Sequence, residues 1–174
     1  MSPESSLFYS GVIFASSLHG EFADAESKFE ALLDKHEQLL YASEMSLKGN
    51  AIAVSLYIPD MTKFVPLNKR YAARFGLRPP VRVCVQLTTN DDIGMGVIAA
   101  PTGTKIINVH VQSFSTWAPA NIGPYSQANM LKSSGIICLA GQIGLDPAFM
   151  DFRKASPQLP TAQQLDQMAC DQLC

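Results

Sequence analysis

Arg82 and Cys84 stand two residues apart in a run, Val81 to Thr88, that alternates strictly and so reads as a strand. Val81, Val83, Val85 and Leu87 share one face; Arg82, Cys84 and Gln86 share the other. A guanidinium is a planar fork of N–H donors matched to a carboxylate. Arg82 therefore holds either a bound carboxylate or a structural one, and both readings stand. Cys84 also has two readings. A thiol near a cation can be a nucleophile of lowered pKa, or simply a small packed residue; the sequence sets no histidine beside it. Cys170 and Cys174 lie one helical turn apart, a spacing a metal could use, but His19, His36 and His110 are not at ligand spacing with them. No zinc site is expected, and Cys138 completes a set of reduced, mostly buried thiols.

These residues need elements to position them. Leu7 to Phe14 reads as a strand in which Gly11 permits close approach to the backbone. Ala23 to Leu40 predicts a helix with Ala25, Phe29, Leu32, Leu33, His36 and Leu40 on one face, where His36 is a packed or boundary residue. From Asn50 to Ile58, Ile52, Val54, Leu56 and Ile58 alternate with smaller residues, which predicts another strand. Pro59-Asp60 breaks it. A helix follows over about Thr62 to Phe75, with Phe64, Leu67, Tyr71 and Phe75 at helical spacing, Pro66 in the first turn and Gly76 as a stop. After the Arg82 strand come strands over Ile93 to Ala100 and Lys105 to Val111. The first unit thus reads β-α-β-α-β-β, with room for one more strand.

The pattern then restarts. Ile136 to Ile143 echoes Leu7 to Ile13: an apolar strand, a small residue, then glycine. A helix is expected from Thr161. The chain is expected to hold one divergent domain over 1–115 and the N-terminal part of a second, truncated copy over 116–174, because a helix without strands to cover cannot bury its apolar face.

The 174 residues carry a formal charge of −2, with no basic run longer than Lys69-Arg70. Nucleic-acid binding rests on a basic stripe, so that class is disfavoured. No apolar run reaches the length of a membrane helix, and the first residues lack the basic region of a signal peptide. A cytoplasmic address is expected, with no membrane partner.

Ile122-Gly-Pro-Tyr-Ser-Gln-Ala128, followed by Leu139-Ala-Gly-Gln-Ile-Gly-Leu-Asp-Pro147, resembles the N-terminal signature of the Rid family (RidA/YjgF, also called L-PSP endoribonuclease). The first unit resembles it more loosely through Ser10-Gly11, Tyr57 to Phe64, Asn68 to Tyr71 and Pro80 to Gln86. The resemblance implies an α+β, chorismate-mutase-like fold: a mixed sheet with two helices on one face, assembling as trimers. Deaminase members hydrolyse enamines and imines to 2-oxo acids in clefts between subunits. An arginine clamps the carboxylate, backbone N–H groups near the Ser-Gly and Arg-x-Cys segments orient the substrate, and a glutamate positions water. The implied ligand-binding residues are Arg82, Cys84, Ser10, Gly11, Tyr125 and Gly141. Tyr125 of the second copy is expected to complete the cleft of Arg82 and Gly11.

Two departures bear on activity. The family's glutamate falls in a late strand, and the corresponding Ile93 to Ile98 has no carboxylate. Losing a general base removes a factor of roughly 10²–10⁴. In the second copy Ala140 replaces the usual serine, and no arginine strand follows. No catalytic residue is therefore assigned.

Two Rid-like copies in tandem also resemble the C-terminal half of the eukaryotic diphthine–ammonia ligase family. That resemblance implies an accessory region with no cofactor of its own, ATP being expected only in a further N-terminal domain. Elongation factor two is then the implied protein partner, beside Rid–Rid packing within the chain or a homo-oligomer. A free-standing enamine/imine deaminase is the alternative reading, and an L-PSP-type ribonuclease a weaker one.

Overall fold

The computed structural model describes residues 7–14, 18, 21–87 and 92–152. The helix expected from Thr161, and His19, Cys170 and Cys174, lie outside them. Helix α1 spans Ala25–Tyr41. The Asp24 carboxylate caps it by accepting from the Ser27 N–H at 2.7 Å, which satisfies a donor the helix cannot. Its inward face buries Phe29, Leu32, Leu33, His36 and Leu40. A short helix α2, Leu47–Asn50, occupies the start of the second expected strand. Helix α3, Phe64–Phe75, grows out of a 3₁₀ turn over Met61–Lys63. Asp60 caps that turn through the Thr62 N–H. Gly76 ends α3 at φ +68°, a left-handed conformation that glycine adopts without strain.

Four strands form a mixed sheet: β1 (Phe8–Phe14), β2 (Ala51–Ile58), β3 (Val81–Gln86) and β4 (Gly94–Ala99). Their order is β1-β4-β2-β3. β2 and β3 are parallel, joined through α3, while β4 runs antiparallel to both β1 and β2. Val54, Leu56 and Ile58 of β2 and Met95 and Val97 of β4 form one core with the apolar faces of α1 and α3. Two helices on one face of a mixed sheet is the expected α+β architecture. His36 is packed into this core, its Nε2 2.9 Å from the Met95 carbonyl oxygen.

Lys105 to Val111 yields β5, Ile106–Val109, but this strand does not extend the first sheet. It pairs with β6 (Ala128–Leu131), which pairs in turn with β7 (Ile137–Leu139), all antiparallel. The expected continuation of one β-β pair is thus a separate three-stranded sheet that joins strands across the restart of the pattern. Leu131 packs with Ile52 and Ala100. Asn129 donates to the Ile52 carbonyl at 2.8 Å and accepts from Asn108 at 2.7 Å. Buried polar groups need such partners, and here they pin the second sheet to β2.

Compactness divides the chain differently from the expected 1–115 and 116–174. One unit comprises residues up to His110 with Gly123–Gly141; the other comprises Val111–Ile122 with residues from Gln142 onward. Within the second unit, β8 (Leu145–Asp146) pairs with β9 (Asp151–Phe152), and the Ala120 N–H lies 3.1 Å from Met150 Sδ. Among the described residues no helix is long and apolar enough to cross a membrane.

Candidate functional site

β3 is buried the wrong way round for its hydropathy. Val83 and Val85 are 41% and 39% exposed, while Arg82 just before them is 5% exposed. The parallel register sets Arg82 opposite Val54 and Cys84 opposite Leu56. Paired residues share a face, so the arginine and the cysteine lie on the helix side of the sheet. The guanidinium sits against α3. Its Nη1 donates to Asn68 Oδ1 at 2.6 Å. Its Cζ lies 4.7 Å from the Tyr71 ring centroid, 5.5 Å from that of Phe64 and 5.7 Å from that of Tyr125.

Among the described residues, no carboxylate pairs with Arg82; the ion pairs formed are those of Lys28, Arg70 and Arg74. Desolvation depresses its pKa, yet a guanidinium stays charged in a protein. A buried cation without a counter-ion costs several kcal/mol. Three aromatic faces offset part of that at about 0.5–2 kcal/mol each. The structural-carboxylate reading of Arg82 therefore finds no partner among the described residues.

The segment Gly123 to Ser126 supplies the other wall. The Ser126 N–H donates to the Pro80 carbonyl at 3.1 Å, forming a parallel bridge with Val81. The Gly141 N–H donates to the Arg82 carbonyl at 3.3 Å. Ser126, fully buried, donates through its hydroxyl to Pro79 O at 2.6 Å and accepts from Asn108 at 2.8 Å. His110 Nδ1 is 3.3 Å from that hydroxyl. These contacts hold Gly123 to Tyr125 beside the guanidinium. A Cβ on Gly123 would lie 3.0 Å from Arg82 Nη2. Close approach is thus what this glycine provides. Gly123→Ala is expected to displace the guanidinium from Asn68 and to weaken carboxylate binding about tenfold, the worth of one charge-assisted hydrogen bond. Calorimetric titration checks this; unchanged affinity would mean that the guanidinium gives way freely.

The residues expected at the site do not all converge. Arg82, Tyr125 and Gly141 come together within one chain. Cys84 sits two residues along the same face, packed against the core, and burial pushes its thiol pKa up. That environment suits a packed thiol and opposes a thiolate. Ser10 and Gly11 lie apart from them in this chain. They lie in β1, at the irregularity between Tyr9 and Val12 in its pairing with β4. β1 and β3 are opposite edges of the sheet, with β4 and β2 between, a separation of about 14 Å at ordinary strand spacing. Gly11 therefore does not share a cleft with Arg82 inside this chain. Asn68, Tyr71 and Phe64 were not foreseen as site residues. The available signal was Asn68 itself, a polar residue four positions after Phe64 on the apolar stripe of α3.

No protein-family model matches the chain. It is 34% identical over 137 residues to the diphthine–ammonia ligase of Schizosaccharomyces pombe, covering 77% of this chain and 22% of that protein. It is 32% identical over 144 residues to the Saccharomyces cerevisiae diphthine–ammonia ligase, covering 73% and 21%. The chain thus spans about a fifth of the curated relatives it matches. Among solved structures, yeast Mmf1 superposes with a TM-score of 0.50 at 26% identity, over 55% of this chain and 80% of Mmf1. A Thermotoga maritima protein described as a putative endoribonuclease superposes with a TM-score of 0.50 at 23% identity, over 56% and 80%. These likenesses agree with the Rid-like fold expected from the sequence.

Proposed function

We propose that this chain, which carries a Rid-like region homologous to part of the diphthine–ammonia ligases, serves as an accessory small-carboxylate-binding region of such a ligase. In this reading the ATP-dependent amidation belongs to another part of a longer cytoplasmic protein, and elongation factor two is the partner of that whole protein. The observation that carries the binding role is Arg82: 5% exposed, walled by Phe64, Tyr71 and Tyr125, and without a carboxylate partner among the described residues. The site draws on both copies, so within the chain the second copy stands where the family resemblance sets a neighbouring subunit. A homo-oligomer would add contacts without being needed to bring Tyr125 to Arg82.

The same cluster favours enamine/imine deamination as a second reading, since it is a carboxylate clamp in a Rid fold. Against it, β4 reads Gly-Met-Gly-Val-Ile-Ala and offers no carboxylate to position water. Ribonuclease activity has the net charge of −2 against it.

One experiment separates these readings. The chain is titrated calorimetrically with 2-oxobutyrate, then given an enamine substrate while 2-oxo acid release is followed. Saturable binding with release at the buffer rate supports the accessory role. Release well above the buffer rate, abolished by Arg82→Ala, would replace it with the deaminase.

A further inference from the structure

Tyr71 lies in the fully buried core of the sheet's helix face, stacked on Phe75 at 4.3 Å between ring centroids. Its hydroxyl is the buried side-chain polar atom without a hydrogen-bond partner among the described residues. An isosteric phenylalanine would fill the same space without desolvating an O–H, so packing alone gives no reason for the hydroxyl. The same ring lies 4.7 Å from Arg82 Cζ. The phenol feels the charge of Arg82 and the thiol of Cys84, and burial raises its pKa so far that it keeps its proton. It is a neutral donor beside a cation that itself lacks an anion.

We infer that the Tyr71 hydroxyl is a second donor of the Arg82 pocket: it hydrogen-bonds an oxygen of the ligand whose carboxylate rests on the guanidinium. The inference rests on the pocket reading above and adds selectivity to it. Arg82 accepts any small carboxylate. Tyr71 favours one that carries a further oxygen acceptor a few atoms from the carboxylate carbon, because an acid lacking that oxygen leaves the phenol unpaired. Tyr71 is then a specificity-determining residue.

The test compares butyrate with 2-oxobutyrate, which differ by one carbonyl oxygen, on the wild-type chain, Tyr71→Phe and Arg82→Met. Wild type is expected to bind the oxo acid about tenfold more tightly, the worth of one buried hydrogen bond. Tyr71→Phe is expected to bring the two affinities together while melting at the same or a higher temperature, since it removes an unpaired O–H. A Tyr71→Phe chain that keeps the wild-type preference overturns the inference, as does a wild type that shows none. Arg82→Met should lose both acids. If it binds them as wild type does, or if wild type binds neither, the pocket reading fails and takes this inference with it.

Discussion

Arg82→Met is expected to abolish carboxylate binding while leaving the unliganded fold at least as stable as before. Each hydrogen bond from a charged donor contributes about 1.5–3 kcal/mol, so losing a two-pronged clamp weakens binding roughly 10²–10⁴-fold. The stability expectation has the opposite sign. An arginine that served only the fold would pair with a buried carboxylate, and breaking such a pair costs about 3–5 kcal/mol. Here the guanidinium has one amide partner, Asn68, and three aromatic neighbours. Methionine retains much of the volume and the contact with those rings. It also removes the desolvated charge. Thermal melts and calorimetry on the same preparation check both halves. A loss of several kcal/mol in the unliganded protein would make Arg82 a structural residue.

Acidification should destabilise the fold by about 3 kcal/mol through His36 alone. Its pKa falls from 6.5 to about 4, chiefly through desolvation, with the hydrogen bond to the Met95 carbonyl acting in the other direction. The folded state keeps the ring neutral where the unfolded chain takes up a proton. The unfolded state therefore binds more protons between pH 6.5 and 4, and stability rises with pH across that window. The contribution is fully present above about pH 6.5 and lost as pH falls toward 4. A shift of that size corresponds to about 3 kcal/mol. His36→Gln retains a donor for Met95 O but cannot titrate here. Urea melts from pH 7.5 to 4 should show a flatter profile for the variant; parallel profiles would assign the acid sensitivity to other groups.

The core was legible because its burial obeys local periodicity. Ile52, Val54, Leu56 and Ile58 alternate in sequence, and the last three meet α1 and α3 as expected. The same logic places Phe29, Leu32, Leu33 and His36 on the inner face of α1. It failed at β3, where Arg82 is buried and Val83 and Val85 are not. Alternation reveals which residues share a face, but here tertiary packing decides which face is covered. The family resemblance identified Arg82 and Tyr125, and the structure brings them together. It also set Ser10-Gly11 with them, within one chain or between chains, and inside one chain the strand order keeps them apart: β4 inserts between β1 and β2, a pairing that joins distant stretches of sequence. β5 escaped for a related reason. Its partner β6 lies beyond a connector, so nothing local to Ile106–Val109 specifies the sheet it joins. Asn68 was hidden because a single amide on an apolar helical stripe acquires meaning only from what faces it.

The central proposal is that one chain assembles an anion site from Arg82 and the Gly123–Tyr125 segment. Side-chain ¹⁵N NMR of Arg82, recorded during titration with 2-oxobutyrate on protein verified as monomeric by sedimentation, tests it most directly. A saturable shift of the Arg82 guanidinium resonances, independent of protein concentration and needing about tenfold more acid in Gly123→Ala, is the predicted result. Arg82 resonances that remain unmoved at saturating acid, or that move only when chains associate, would contradict it.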